Sequence, residues 1–263
     1  MIRDLNSIKA ASDFLVGHWH AGTRCDAVPA ALRPRDRAEG YAIQAVLEQK
    51  TDKPLFGWKI AATSIAGQKH IGVDGPMAGR ILAERCFPSG ARITLGNNLM
   101  RVAEIEFGFR MGRDLSPRTT PYSLDEVMDA VGSLHPMIEI PDSRYDDFVH
   151  VGAPQLIADN ACAHFLVAGV ACPDTWRSLD LAAYKPIGRI AGKGEWEGLG
   201  ANVLGDPRIG LTWLANELSG LGITLKAGET VTTGTCLTPL AISAGDHVTG
   251  DFGPLGSVEV LIV

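Results

Sequence analysis

Apolar positions recur at helical spacing along the first fifty residues, then give way to short β-rich runs separated by Gly and Pro. Residues 10–20 follow the helical pattern, and residues 35–50 do so more clearly through Ala38, Tyr41, Ala42, Ala45 and Val46. Between them, residues 24–34 contain Pro29 and Pro34 and read as a loop. Asp36 falls where an acid favours the start of the second helix. Beyond Pro54, the runs 56–62, 80–82, 91–94, 100–110, 137–141 and 157–164 all fit strands. Residues 123–134 predict a helix opened by a capping box of Ser123 and Glu126, and residues 213–221 a late helix ending at Gly220 or Gly222. The tail from Gly245 to Val263 reads as a hairpin. Helices ahead of a strand-dense body, without a βαβ rhythm, make the chain α+β. Residues 1–53 are expected to form a helical segment packed on a body of 54–263, within one domain of 1–263.

Three acids break this pattern. Glu104 and Glu106 lie in Arg-Val-Ala-Glu-Ile-Glu-Phe-Gly-Phe, and Glu139 in His-Pro-Met-Ile-Glu-Ile-Pro, where a half-buried strand would carry apolar side chains. Strand side chains alternate faces, so Glu104 and Glu106 point the same way. Their burial costs several kcal/mol unless a cation neutralises them. Hard oxygen ligands suit Mg²⁺ or Mn²⁺, and Glu139 supplies a third carboxylate. Two alternating glutamates on a solvated strand face would be the plainer alternative. Against it, Ile105, Phe107 and Phe109 form the opposite face, and Gly108 on the glutamates' own face is expected to leave room for a ligand.

Other polar residues sit in similar places. Lys59, inside Phe-Gly-Trp-Lys-Ile-Ala-Ala, reads either as an edge-strand lysine or as a cleft lysine that binds a carboxylate or moves a proton. Asp74, in Ile-Gly-Val-Asp-Gly-Pro, reads as a turn former or a site acid. Asn160, in Ala-Asp-Asn-Ala-Cys-Ala-His, meets a ligand or is an ordinary buried amide, and Gly234-Thr235 has the same two readings. His18 and His20 flank Trp19 in a helical run and do not form a metal pair. Gly192-Lys193-Gly194 lacks phosphate-loop spacing, and no G-x-S-x-G elbow occurs.

Composition narrows the class of protein. A formal charge of −6 gives no basic footprint for nucleic acid, and no stretch has transmembrane length. The polar start from Met1 to Asp4 lacks an apolar signal region, and five cysteines form no C-x-x-C pair, so a reduced cytoplasmic setting is expected.

Taken in order, Gly57-Trp58-Lys59, Ile71 to Pro76, Glu104-Ile105-Glu106, Glu139, Ala158 to Ala161, Trp213 to Asn216 and Asp251 to Gly256 resemble the 2-keto-4-pentenoate hydratase family of the fumarylacetoacetate hydrolase superfamily. The resemblance spans most of the chain. It implies a twisted, mixed β-roll with surrounding helices, assembled as a homo-oligomer (dimer or higher) and able to associate with a related pathway enzyme. It implies Glu104, Glu106 and Glu139 as Mg²⁺ or Mn²⁺ ligands, and Lys59 with Asp74 as the substrate-binding and proton-transfer pair. Asn160, Cys162 and Thr235 would border the substrate, with Cys162 standing where the family pattern has serine.

The activity implied is hydration of a 2-hydroxy-2,4-dienoate, or its 2-oxo tautomer, to a 4-hydroxy-2-oxo acid in catabolism of aromatic compounds. The alternative is decarboxylation of a 2-oxo-dioate by the same family. An acylpyruvate-type hydrolase fits less well, because such hydrolases carry a lysine after the third metal ligand where this chain has Asp159-Asn160. A non-catalytic partner subunit is a further alternative, opposed by retention of all five polar residues.

Overall fold

The computed structural model describes residues 4–263, so the polar start at Met1–Arg3 lies outside the described residues. Helix α1 (Leu5–Ala21) begins because the Asp4 carboxylate accepts the Asn6 and Ser7 amides, and it stops at Gly22, whose φ of 63° places it in the left-handed region. Asp36 caps α2 (Arg37–Ala45) by accepting the Glu39 amide, and a 3₁₀ turn continues to Lys50. Ile8, Ala11 and Leu15 of α1 and Ile43 of α2 bury their apolar faces against Val28, Tyr145 and Ala158.

The rest of the chain alternates strands with short helices. In order these are β1 (Leu55–Ala61), α3 (Ile65–His70), β2 (Met77–Leu82), β3 (Cys86–Pro88), β4 (Ala91–Ile93), β5 (Val102–Met111), α4 (Leu124–Asp129) and β6 (Val131–Ile140). They continue with α5 (Ala153–Ala158), β7 (Phe165–Ala168), β8 (Ile187–Ile190), β9 (Gly194–Glu197), α6 (Pro207–Gly220), β10 (Thr230–Thr235), β11 (Leu240–Ala241), β12 (His247–Asp251) and β13 (Ser257–Ile262). One mixed sheet runs β2-β1-β10-β5-β6-β7-β3, with β11 also paired to β5. A second runs β4-β13-β12-β8-β9.

The second sheet lies on the Ile105 face of the first. At Gly188 and Gly250 an added Cβ would come 3.0–3.1 Å from its nearest neighbours, Ile105 among them, so glycine favours the close approach of the sheets. Phe107 packs edge-to-face on Phe252, with ring centroids 5.0 Å apart. The alternation that aims Ile105 and Phe107 into this apolar layer aims Glu104 and Glu106 the other way.

Three local expectations need correction. Residues 157–164 are not a strand: α5 occupies Ala153–Ala158 with a proline in its first turn, and a 3₁₀ turn covers Asn160–Cys162. A short apolar run cannot be told from a buried helix by periodicity alone. The Ser123–Glu126 capping box is present, but the helix ends at Asp129 and Val131 already begins β6, which pairs with β5 between Val131 and Glu139. The late helix starts earlier than expected, at Pro207, because Asp206 caps it. The tail does form an antiparallel pair, β12 with β13. No helix among the described residues is long and apolar enough to cross a membrane.

Candidate metal centre

Strand register gathers the three glutamates. Glu104 lies directly opposite Glu139 across the β5–β6 ladder, and Glu106 is one step along the same face. One carboxylate oxygen from each lies within 4.8 Å of the others. Glu106 and Glu139 are fully buried, and Glu104 is half-buried.

Lys59 reaches this cluster from β1, with β10 between β1 and β5. Its Nζ lies 3.1 Å from Glu139 Oε1 and donates to the Ala161 carbonyl at 3.1 Å. Lys59 is therefore an interior residue rather than an edge-strand guard. Gly79 stands opposite it on β2, where a Cβ would sit 2.9 Å from Lys59 Cγ and 2.5 Å from the Asn160 carbonyl. The absent side chain makes room for both the lysine stem and the loop above it.

Glu106 is held from β10. Thr232 Oγ1 and the Gly234 amide, the latter at 2.8 Å, both donate to its Oε2. The register shift between Thr232 and Thr235 turns the Gly234 amide toward the carboxylate, at a φ of 103° that favours glycine. A Cβ there would also lie 2.2 Å from Thr63 Oγ1. Thr232 is the site residue that sequence reading misses, because threonine in a strand is unremarkable until register places it beside Glu106.

The loop over the site is strained. Asn160, Ala161 and Cys162 all have positive φ, at 55°, 49° and 61°. Two anchors hold it. Asn160 Oδ1 accepts the Arg80 amide at 2.7 Å while Nδ2 donates to the Arg80 carbonyl at 2.8 Å. The Asp159 carboxylate pairs with the buried Arg144 guanidinium and accepts the Ser143 hydroxyl at 2.8 Å. Asn160 thus serves as a clamp on β2, in keeping with the buried, hydrogen-bonded amide that is one of its two readings.

Cys162 is buried, and burial pushes its thiol up to about 12. Thr235, half-buried and opposite Glu106, donates its hydroxyl to the Leu237 carbonyl at 2.7 Å. Asp74 is not brought to the glutamates: its side chain is 88% exposed, 3.7 Å from Arg37. The room expected over Gly108 is filled, since a Cβ there would lie 2.5 Å from Met137 Cε.

Electrostatically, three carboxylates face one ammonium. Burial raises the pKa of Glu106 well above the carboxylate range, with Glu139 and Glu104 adding to the rise. Burial likewise raises Glu104, and raises Glu139 to about 7 despite Lys59. Burial acts to lower Lys59, yet Glu139 and Glu104 outweigh it and the ammonium is stabilised. Glu106 Oε1 and both Glu139 oxygens are buried without a hydrogen-bond partner, the ion pair to Lys59 being all that Glu139 Oε1 has. Carboxylate oxygens converging from three residues, with those of Glu106 and Glu139 buried and unsatisfied, fit a hard divalent cation.

The fold is a fumarylacetoacetate-hydrolase-like one, a curled mixed sheet with helices around it. The solved 4-oxalocrotonate decarboxylase from Pseudomonas putida, complexed with magnesium and adipate, has the same fold. Its TM-score is 0.89 over 99% of each chain at 22% identity. In sequence, the chain is 32% identical over 224 residues to 2-keto-4-pentenoate hydratase from Paraburkholderia xenovorans, covering 84% of this chain and 82% of that one. It is also 32% identical over 204 residues to 2-hydroxyhexa-2,4-dienoate hydratase from Comamonas testosteroni, covering 76% and 75%. The chain belongs to the 2-keto-4-pentenoate hydratase family. No protein-family model matches it.

Proposed function

We propose that this protein is a divalent-metal-dependent hydro-lyase that adds water to a 2-hydroxy-2,4-dienoate, as its 2-oxo tautomer, to give a 4-hydroxy-2-oxo acid. The observation that carries the reading is the buried cluster of Glu104, Glu106 and Glu139 with unsatisfied oxygens beside Lys59. The hydratase names of the sequence relatives favour hydration over decarboxylation.

In this reading Glu104, Glu106 and Glu139 hold Mg²⁺ or Mn²⁺, which supplies Lewis-acid stabilisation of enolate charge on the bound acid. Lys59 Nζ, kept charged by its neighbours and oriented by the Ala161 carbonyl, delivers a proton to the far carbon of the conjugated chain. Return of the enol proton to Lys59 leaves an α,β-unsaturated ketone, and water adds across it, its hydroxyl to the β-carbon and its proton to the α-carbon. Cys162 and Thr235 border the substrate, and the apolar walls around Glu139 limit stray water.

Asp74 completes the proton path when residues 63–76 close over the site. Support for that motion is that α3, within this segment, buries none of its residues. Residues 1–263 act as one catalytic domain, in a cytoplasmic homo-oligomer. The test is to incubate the protein and Mg²⁺ with 2-hydroxypenta-2,4-dienoate. Formation of the 4-hydroxy-2-oxo acid supports the proposal, whereas an unchanged dienoate overturns it.

A further inference from the structure

A second concavity lies apart from the glutamates, between the end of α1 and the start of β7. Its volume is about 380 Å³, and its walls include Trp19, Arg24, Arg85, Asn97, Asp142 and His164. None of Glu104, Glu106, Glu139 or Lys59 lines it. The volume falls within the range of roughly 300–1,000 Å³ in which small ligands bind.

The chemistry of the wall selects the ligand. Arg24 donates to Asp142 Oδ2 at 2.7 Å and to the Asn97 carbonyl at 2.6 Å, but its Nε is buried without a partner. Arg85 has no hydrogen bond or ion pair among the described residues. Its guanidinium instead lies 5.2 Å from the ring centroids of both Trp19 and Phe165. Two guanidiniums and one carboxylate, Asp142, therefore line the concavity, while Glu84 acts on Arg85 from outside the lining.

His164 adds a neutral donor. Burial, helped by Arg144, Arg85 and Arg24, lowers its pKa to about 2. Its Nδ1 accepts Trp19 Nε1–H at 2.9 Å, which leaves the ring proton on Nε2. The negative end of the α1 dipole opposes an anion here. However, the Trp19 and His18 carbonyls already accept the Gly22 and Thr23 amides, so that end is partly neutralised.

We infer that this concavity is a second binding site, separate from the metal centre, for a small oxyanion (a carboxylate or a phosphate) held chiefly by Arg85. A cation is disfavoured by the two guanidiniums, and a neutral guest would leave the Arg85 fork unsatisfied. The site borders the catalytic loop: the Asp142 amide donates to the Cys162 carbonyl at 2.9 Å.

The test is calorimetric titration of the full chain, stripped of metal and then dialysed free of chelator, at constant ionic strength, with pyruvate and with inorganic phosphate as separate probes. Saturable binding of either probe is expected, and the two arms identify which oxyanion the site takes. Arg85→Gln should weaken binding about tenfold or more, as expected for loss of a charged hydrogen bond. Arg85→Lys, which keeps the charge, should weaken it less and serves as the folded control, while Lys59→Ala should leave it unchanged. Absence of saturable binding by both probes, equal affinity in Arg85→Gln, or loss of binding in Lys59→Ala would each overturn the inference.

Discussion

Glu104 and Glu139 face each other directly across an antiparallel ladder, and the side chain of Glu139 meets Lys59 Nζ at 3.1 Å. Two acids in that relation repel, and Lys59 offsets only part of the charge. Adding a divalent cation should therefore stabilise the fold. At about 100 times the dissociation constant, ligand linkage is worth about 2.7 kcal/mol. Thermal melts with Mg²⁺ or Mn²⁺ against EDTA should show the rise, and Glu106→Gln should abolish it while raising the stability of the metal-free protein.

The pH dependence of the metal-free protein follows from Glu139. Its folded pKa is raised to about 7, above an unfolded value near 4.5, so the folded state binds the extra proton. Stability from this group is present below about 4.5 and is lost as pH rises through about 7. Melting curves of wild type and Glu139→Gln in EDTA should nearly coincide at low pH. They should separate above neutrality, with wild type the less stable.

Lys59→Ala removes the proposed proton donor and its ion pair to Glu139 but leaves all three proposed metal ligands in the chain. Turnover should fall by about 10²-fold or more, the scale of general acid–base catalysis. Metal affinity should hold or increase, since a competing positive charge is gone; calorimetry with Mn²⁺ reads this directly. Full activity in this variant would remove Lys59 from the mechanism.

Asn160→Ala deletes two buried hydrogen bonds to the Arg80 backbone and leaves a β-carbon residue at positive φ. Loss of about 2 kcal/mol in urea unfolding is expected, together with a lower kcat because the Ala161 carbonyl no longer fixes Lys59. Manganese binding should survive. Asp74→Asn, by contrast, alters an exposed side chain, so the melting temperature should not change, and the proposed closure over the site predicts a lower kcat.

Much of this was legible because a strand forces side chains to alternate. Glu104 and Glu106 had to share a face, and acids in the apolar runs 100–110 and 137–141 had to be compensated. The resemblance added the metal and the role proposed for Lys59. What escaped depended on non-local register and backbone strain. Residues 157–164 look like a strand because their apolar content suits either element, and nothing local announces three successive positive φ values. Thr232 becomes a glutamate partner only through β10–β5 pairing, and the space over Gly108 is taken by Met137, 29 positions further along the chain.

The most direct test of the central claim is metal-dependent turnover of 2-hydroxypenta-2,4-dienoate, followed by loss of its conjugated absorbance while CO₂ release is recorded. The account predicts hydration without CO₂, abolished by excess EDTA, restored by Mg²⁺ or Mn²⁺, and absent in Glu139→Gln. Turnover that persists in EDTA would contradict it.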